Sequence, residues 1–235
     1  MSGTTVHLLR PGTVDYHHAL SWQQLLARGV RDGTGQETLL LLQHPPVYTL
    51  GRRAKAEHIL VDPAEILARG AEIVDADRGG DITFHGPGQL VGYPVLDLRG
   101  RGILPGDYVR LLEDMLVRAL AEFGIPGERV QGRPGVWAGG AKIAAIGVRV
   151  REGVTTHGFA LNVSTDLSWF EAIVPCGLRD ASVTSMAALL AEAPPMDAVQ
   201  DAVAEAFAVS FGVALIEGGF AVPAPAGERL AVIGR

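Results

Sequence analysis

The sequence predicts an α/β (α+β) fold in which a mixed, largely antiparallel β-sheet is flanked by helices. Two observations predict this class. A strand, a helix and a second strand open the chain, and short strand patterns then recur through its middle with amphipathic helical patterns between and after them. With 235 residues and 48% hydrophobic composition, the chain can bury one substantial core without a second domain.

The N-terminal third predicts a β-α-β unit followed by a short helix and another strand. Apolar alternation and one continuous apolar run predict the strands, and helical spacing after Thr13 predicts a helix capped by that threonine. These elements are a strand at Thr4–Arg10, a helix at Val14–Val30, a strand at Thr38–Gln43, a helix at Pro63–Arg69 and a strand at Ala71–Asp75. The segment His44–Tyr48 between them is predicted to be a rigid loop.

The rest of the chain predicts a strand meander with three more helices. The strands are expected at Ile82–His85, Gln89–Leu98, Gly135–Trp137, Lys142–Val150, Val154–Val163 and Val213–Glu217. The helices are expected at Asp107–Phe123, Thr184–Leu190 and Met196–Phe211. We therefore expect a single domain over residues 1–217 and a loosely held C-terminal tail over residues 218–235.

Charge, cysteine content and missing motifs exclude several classes of protein. A net charge of −6 leaves no basic excess to neutralise phosphates, so we expect no nucleic-acid and no membrane partner. The single cysteine cannot form an internal disulfide, and the first eleven residues lack a signal-peptide pattern, so we expect a cytoplasmic protein. No zinc-type cluster, phosphate loop or dinucleotide fingerprint occurs, so we expect no metal and no cofactor.

The glycine-rich run from Arg78 to Gln89 is the first candidate site. Glycine permits tight turns and lets backbone N–H groups approach a ligand closely. The same run is also consistent with a simple turn between two strands. Taken alone, it leaves both interpretations open.

Lys142 and Cys176 are the second and third candidates. Lys142 stands among small and apolar residues, where desolvation would favour a neutral amine, although its stem could also pack on the sheet while its ammonium reaches water. Cys176 lies between Pro175 and Gly177 and is either an inert buried thiol or a nucleophile. His157 is the nearest histidine in sequence, and pairing it with Cys176 would suggest a thiol hydrolase.

Taken together, these runs resemble the lipoyl(octanoyl) transferase family, which shares its catalytic fold with lipoate and biotin protein ligases. Four segments carry the resemblance: Arg78-Gly79-Gly80 with Thr83 and His85-Gly86-Pro87-Gly88-Gln89-Leu90, the run Lys142–Gly147, the run His157–Asn162, and Pro175-Cys176-Gly177. Supporting segments extend it over roughly Thr38 to Leu190.

The resemblance implies a role for each site residue. Cys176 would be the acyl-carrying nucleophile and Lys142 its catalytic partner. Substrate contacts would come from Arg78, Gly79, Gly80, Asp81, Ile82, Thr83, Phe84 and His85, from Ala145, Ile146 and Gly147, and from His157, Gly158, Phe159 and Ala160. Phe84 stands where such runs often carry tyrosine, which puts a hydroxyl contact at that position in doubt.

The implied activity is that of an acyltransferase occupying residues 1–217. It would take octanoyl from octanoyl-acyl carrier protein, hold it as a thioester on Cys176, and pass it to a lysine of an acceptor, the first step of endogenous protein lipoylation. The acceptors would be lipoyl domains of 2-oxoacid dehydrogenases and the glycine cleavage H protein. We expect Arg52, Arg53 and Arg149 or Arg151 to form a basic surface for these acidic partners.

Three other functions stay open at this point. An ATP-dependent lipoate-protein ligase on the same fold would activate a free acid and would need no cysteine. A cysteine thioesterase or hydrolase using Cys176 and His157 would release free acid. A non-catalytic acyl-binding or adaptor protein would use Cys176 only for packing.

Overall fold

The computed structural model describes residues 5–175 and 182–218. Within these ranges the strands are β1 (Thr5–Thr13), β2 (Thr38–Gln43), β3 (Val47–Leu50), β4 (Glu72–Asp75), β5 (Ile82–His85), β6 (Gln89–Val95), β7 (Glu128–Val130), β8 (Arg133–Ala138), β9 (Ala141–Arg151), β10 (Val154–Asn162) and β11 (Ala214–Glu217). The α-helices are α1 (Tyr16–Arg31), α2 (Pro63–Ala68), α3 (Pro105–Ala121), α4 (Met186–Leu189) and α5 (Met196–Phe211). Short 3-10 helices lie at Ala56–His58 and Leu167–Ala172.

An eight-stranded sheet forms the frame of the molecule, in the order β11-β1-β2-β6-β10-β9-β8-β7. Strand β1 runs parallel to β11 and β2, whereas every other neighbouring pair in this sheet is antiparallel. The predicted mixed, largely antiparallel sheet flanked by helices is therefore confirmed.

Strand β2 shows why the sheet lies between helices. Side chains alternate between the two faces of a strand, and its four leucines are all fully buried. Leu39 and Leu41 pack in the cluster that contains residues of α3 and α5, whereas Leu40 and Leu42 pack in the cluster that contains residues of α1. The continuous apolar run of this strand is thus explained by burial on both faces.

A second sheet of three strands, in the order β4-β3-β5, lies beside the first. It was not predicted from the sequence, because the residues of β3 follow two prolines and have the pattern of a loop. Strand β3 is only four residues long, and it pairs with strands 25 and more residues away in the chain, at Glu72–Asp75 and Ile82–His85. Pairing with strands so distant in the chain produces no pattern in the local sequence from which β3 could have been predicted.

Two predicted helix boundaries are wrong. Thr13 does not cap α1, because it is still paired with Gln43 at the end of β1, and the Asp15 carboxylate caps the helix by accepting from the N–H groups of His17 and His18. The helix predicted at Thr184–Leu190 is reduced to α4, capped by Ser185, because the residues before it pair with β9.

The C-terminal prediction can be followed only as far as Gly218. The last predicted strand forms as β11 and pairs with β1, whereas residues 219–235 of the predicted tail lie outside the described residues. Among the helices described, none combines the length and the apolar character needed to cross a bilayer.

Candidate active site

A cavity of about 540 Å³ lies between the β9–β10 hairpin of the main sheet and two loops, one that follows β3 and one that leads into β5. Most of the predicted contact residues meet there. The predicted residues that line it are Arg78, Gly79, Gly80, Asp81, Thr83, His85, Lys142, Ala145, Ile146, Gly147, Gly158, Phe159 and Ala160. Three of the four segments that carry the resemblance, at Arg78–Leu90, Lys142–Gly147 and His157–Asn162, thus contribute to one cavity.

The β9–β10 wall of the cavity is built from small residues in register. Ala145 lies opposite Ala160, and Gly147 lies opposite Gly158. A Cβ on Gly147 would lie 3.1 Å from the side chain of Arg78, and one on Gly158 would collide with the carbonyl oxygen of Gly92. Space for a ligand exists here because these side chains are small or absent.

Strand β5 supplies the facing wall through alternate residues. Thr83 and His85 line the cavity. Ile82 and Phe84 face the other way, into an apolar cluster where the Phe84 ring stacks on Trp169 at 5.1 Å between centroids. The expected contacts from these two residues are therefore not supported by their placement, and strand alternation alone accounts for it.

Arg78 holds the glycine-rich loop in place. Its side chain is buried, and its guanidinium donates to the carbonyl oxygen of Thr49 at 2.6 Å and to the Thr49 hydroxyl at 2.7 Å. A Cβ on Gly51 would lie 2.5 Å from the carbonyl oxygen of Gly80, so the two loops touch through their backbones. Glycine is needed at this contact.

His157 lies outside the cavity lining. Its backbone has a left-handed φ of 57°, its N–H donates to Gln23 Oε1 at 2.6 Å, and its ring Nε2 lies 2.7 Å from Asp77 Oδ1. Burial, with the charges of Arg78 and Arg149, lowers the pKa of His157 to about 3, so the ring is neutral at physiological pH. The neutral ring donates to Asp77, which leaves the expected substrate contact without support.

Lys142 lies at the start of β9 with its side chain buried. Nζ donates to the carbonyl oxygen of Pro134 at 3.0 Å and lies 5.1 Å from the centre of the Trp137 ring. The residue is only 5% exposed, so its ammonium does not reach freely into water. Lys142 is therefore a buried amine on the cavity wall, held by a backbone carbonyl and an indole ring.

A second, smaller cavity links Lys142 to both ends of the segment that carries Cys176. It is lined by Lys142, by Pro175 before that segment and by Val183 after it. The N–H of Lys142 donates to Ser182 O at 2.9 Å, and the N–H of Thr184 donates back to Lys142 O at 2.9 Å. Cys176 itself belongs to residues 176–181, which lie outside the described residues.

Several lining residues were not predicted from the sequence. His58 Nδ1 lies 2.8 Å from Asp81 Oδ2, in a nearly buried pair on the cavity wall. The backbone oxygen of His58 accepts from Val174, two residues before Cys176. Arg53, which was expected only in a basic surface, also lines the cavity, and the other missed positions are Lys55, Val109, Gly132, Arg133, Pro134 and Val148. Only the Gly132–Gly135 turn carried a local signal, through its glycines and proline.

The described part of the chain contains no group of three His, Cys, Asp or Glu side chains that could hold a metal ion. The groups that line the described cavity include a buried lysine, a His–Asp pair and guanidiniums.

Comparison with known proteins agrees with this geometry. The family model described as the lipoyl protein ligase A/B catalytic domain matches residues 15–208. An octanoyltransferase of Chloroflexus aggregans is 54% identical over 201 residues, which cover 84% of this chain and 90% of the relative.

Solved structures show the same fold. Lipoate-protein ligase A bound with ATP superposes with a TM-score of 0.73 at 20% identity, covering 92% of this chain and 88% of that one. The biotin protein ligase of Aquifex aeolicus in complex with biotin and ATP superposes with a TM-score of 0.54 at 14% identity, covering 88% and 70%. The chain belongs to the lipoyl protein ligase A/B catalytic domain family, and within it to the octanoyltransferases.

Proposed function

We propose that this chain transfers octanoyl from the thioester of octanoyl-acyl carrier protein to a lysine of lipoyl domains, through a thioester on Cys176. The observation that carries the proposal is the position of Lys142. Its side chain is buried at the cavity, and its backbone holds the residues that follow Cys176. Pro175, bonded directly to Cys176, lines the smaller cavity beside it.

The larger cavity suits an eight-carbon acyl chain. Its β9–β10 wall presents Ala145, Gly147, Gly158 and Ala160, which leave an apolar space without a long side chain. Burial of each methylene contributes about 0.8 kcal/mol, so the depth of the cavity can discriminate between chain lengths.

The first half of the reaction exchanges one thioester for another. The Cys176 thiolate attacks the acyl carbon, the bond to the carrier sulfur breaks, and the Lys142 ammonium gives its proton to the departing carrier thiolate. The exchange is close to neutral in free energy, so no ATP is needed. Before the attack, the ammonium stabilises the thiolate and so raises the reactive fraction of the thiol.

The second half reaction restores the starting state. The neutral amine of the acceptor lysine attacks the acyl-enzyme, Lys142 accepts a proton from the attacking nitrogen, and the Cys176 thiolate leaves. The products are the octanoyl amide on the acceptor and the original thiolate–ammonium pair. Amide formation from a thioester is downhill, which drives transfer to completion.

We assign the docking of acidic partners to arginines near the cavity mouth. Arg149 forms an ion pair with Asp77, and burial and then the charges of Arg52, Arg151 and Arg31 lower its pKa. Arg52 and Arg151 are exposed at the surface. Because the chain carries a net charge of −6, attraction of acidic carrier and lipoyl domains requires a local basic surface of this kind. A cytoplasmic location stays a prediction.

The test is intact-protein mass spectrometry after incubation with octanoyl-acyl carrier protein, with and without a lipoyl domain. A hydroxylamine-labile octanoyl adduct is expected on the wild type, absent from Cys176→Ala, and discharged when the lipoyl domain is added. Lys142→Ala should slow both steps. Modification of the acceptor that needs ATP and free octanoate, with no adduct on the enzyme, would instead identify a ligase.

A further inference from the structure

The β9–β10 hairpin opens at its Lys142 end. Pairing between the two strands runs from Val154 opposite Arg151 to Leu161 opposite Ala144 and then stops. Beyond that point Lys142 pairs with residues 182–184, which follow the segment that carries Cys176. Residues 182–184 thus fill the gap beside Lys142.

Asn162, the last residue of β10, bridges the gap with its side chain. Its Nδ2 donates to the carbonyl oxygen of Thr184 at 2.9 Å, and its Oδ1 accepts from Gln89 Nε2 at 2.9 Å. The side chain is 5% exposed, so water does not substitute readily for either partner. Loss of the amide would leave the Thr184 oxygen and the Gln89 amide buried without these bonds.

Gln89 continues the network to the cavity wall. Its Nε2 also donates to the carbonyl oxygen of Phe84 at 3.1 Å, and its Oε1 lies 2.8 Å from His85 Nδ1. Because an amide oxygen only accepts, His85 carries its proton on Nδ1. Burial, and then the neighbouring His44, lowers the pKa of His85 to about 3, so this ring is neutral.

Four residues form a continuous series of hydrogen bonds in which each side chain donates to the next residue. His85 donates to Gln89, Gln89 donates to Asn162, and Asn162 donates to Thr184, whose own N–H returns to Lys142. When buried polar groups supply one another's hydrogen bonds, any other arrangement of their side chains leaves some of them unbonded and is therefore costly. The network joins the cavity wall to the chain on the C-terminal side of Cys176.

We propose that Asn162 and Gln89 are positioning residues for catalysis, and that they hold residues 182–184 in register with Lys142. The inference rests on the proposed thioester mechanism. Both act through residues 182–184, which bond to Lys142 through their backbone and to Asn162 through the Thr184 carbonyl oxygen. Displacements of about 1 Å at a catalytic group can reduce rates by about 100-fold.

The single cysteine makes the test direct, because alkylation by iodoacetamide can report only on Cys176. The pH dependence of the alkylation rate is measured for the wild type, Asn162→Ala and Gln89→Met. Gln23→Ala is the matched control, since Gln23 is equally buried and also bonds a backbone group, His157 N–H, outside this network.

We expect the wild-type midpoint to lie below the value of a free thiol, about 8.5. In Asn162→Ala and Gln89→Met the midpoint of the alkylation rate should move toward the value of a free thiol. Formation of the octanoyl adduct should slow by about 100-fold in both variants. Gln23→Ala should keep the wild-type midpoint at a comparable loss of thermal stability. Methionine has nearly the same volume as glutamine, so Gln89→Met removes the hydrogen bonds without leaving a cavity. This variant therefore tests the positioning role even if Asn162→Ala does not fold.

Two results would count against the proposal in different ways. If the wild type forms no adduct with octanoyl-acyl carrier protein, the thioester mechanism itself fails. If the wild type forms the adduct while both network variants keep its midpoint and its rate, the mechanism stands and the positioning role is wrong.

Discussion

The two lysines of the chain line the same cavity in opposite circumstances. Lys142 is 5% exposed, bonded to a backbone carbonyl and placed beside an indole ring. Lys55 has a side chain that is 64% exposed, and it lies 3.6 Å from the equally exposed Glu57. An exposed ion pair of this kind contributes only about 0–1 kcal/mol to stability. A buried lysine depends much more on its few partners, because burial of a charged group without hydrogen bonds is costly.

This difference separates the buried wall of the cavity from its exposed rim. On the wall, polar groups are enclosed and each has a specific partner, so a small displacement changes reactivity. On the rim, charges are hydrated and screened by salt, so they act mainly on the encounter with a charged partner. We therefore expect chemistry to depend on the wall and association to depend on the rim.

The largest expected effect comes from exchanging the two lysines for methionine. Lys142→Met should reduce the rate of octanoyl transfer by about 10²–10⁴-fold, because the proton acceptor and the stabilising cation are both lost. Lys55→Met should leave the maximal rate intact and raise only the half-saturating concentration of the carrier substrate at low salt. Single-turnover transfer assays measure both, and equal losses in the maximal rate would contradict the contrast between wall and rim.

The next effect concerns three buried histidines, of which His85 lines the cavity and His44 and His157 lie outside its lining. Burial is the main cause that lowers the pKa of His44 to about 4 and the pKa values of His85 and His157 to about 3, from the ordinary value of 6.5. Below pH 6.5 the unfolded chain therefore binds more protons than the native one. The free energy of unfolding should be largest above that pH and fall as the pH decreases, by up to about 1.4 kcal/mol per pH unit for each histidine.

Urea unfolding between about pH 7 and about pH 5 checks this expectation. His157→Asn should reduce the slope by the share of this one histidine among His44, His85 and His157. An unchanged slope in His157→Asn would mean that this histidine is not kept neutral by burial.

Charge reversal at the rim should have a smaller and salt-dependent effect. Arg52→Glu combined with Arg151→Glu should slow association with acyl carrier protein by about 10-fold at low ionic strength, and by much less at high salt. Arg110→Glu combined with Arg118→Glu, both at exposed positions on α3, makes the same change in charge and serves as the control. Stopped-flow association rates measure the effect, and identical rates for the two proteins would exclude the proposed docking surface.

The smallest expected effect is on acyl-chain length. Ala145→Leu should fill part of the cavity and shift preference from octanoyl toward shorter chains, by about 4-fold for each methylene that no longer fits. Ala64→Leu, on the exposed face of α2, should leave the preference unchanged. Competition between acyl donors of different length is the measurement, and an unaltered preference would place the acyl chain elsewhere.

Much of the frame and most of the site could be predicted from local pattern. The apolar run Thr38–Gln43 and the alternation of the later strands predicted the main sheet, and motif resemblance predicted Arg78, Thr83, His85 and Lys142, which line the cavity. Alternation along the predicted strand Ile82–His85 also places Ile82 and Phe84 on the face opposite Thr83 and His85. Their exclusion from the cavity needed no tertiary information.

Other features had no local signal. Strand β3 depends on partners distant in the chain, and His58 joins the site only because Asp81 lies opposite it in space. His157 breaks the alternation of β10 through a left-handed φ, which turned a predicted contact residue toward Asp77. Such features depend on long-range contacts.

The sequence by itself determined which residues are apolar, where strands alternate, and that one lysine and one cysteine stand in small-residue runs. These properties are local, because they follow from side-chain chemistry and spacing along the chain. Only the tertiary structure decided that Lys142 is buried, that its backbone holds residues 182–184, and that Asn162 and Gln89 bridge the opening of the hairpin. Hydrogen bonds between distant segments and exclusion of water exist only once the sheets have packed.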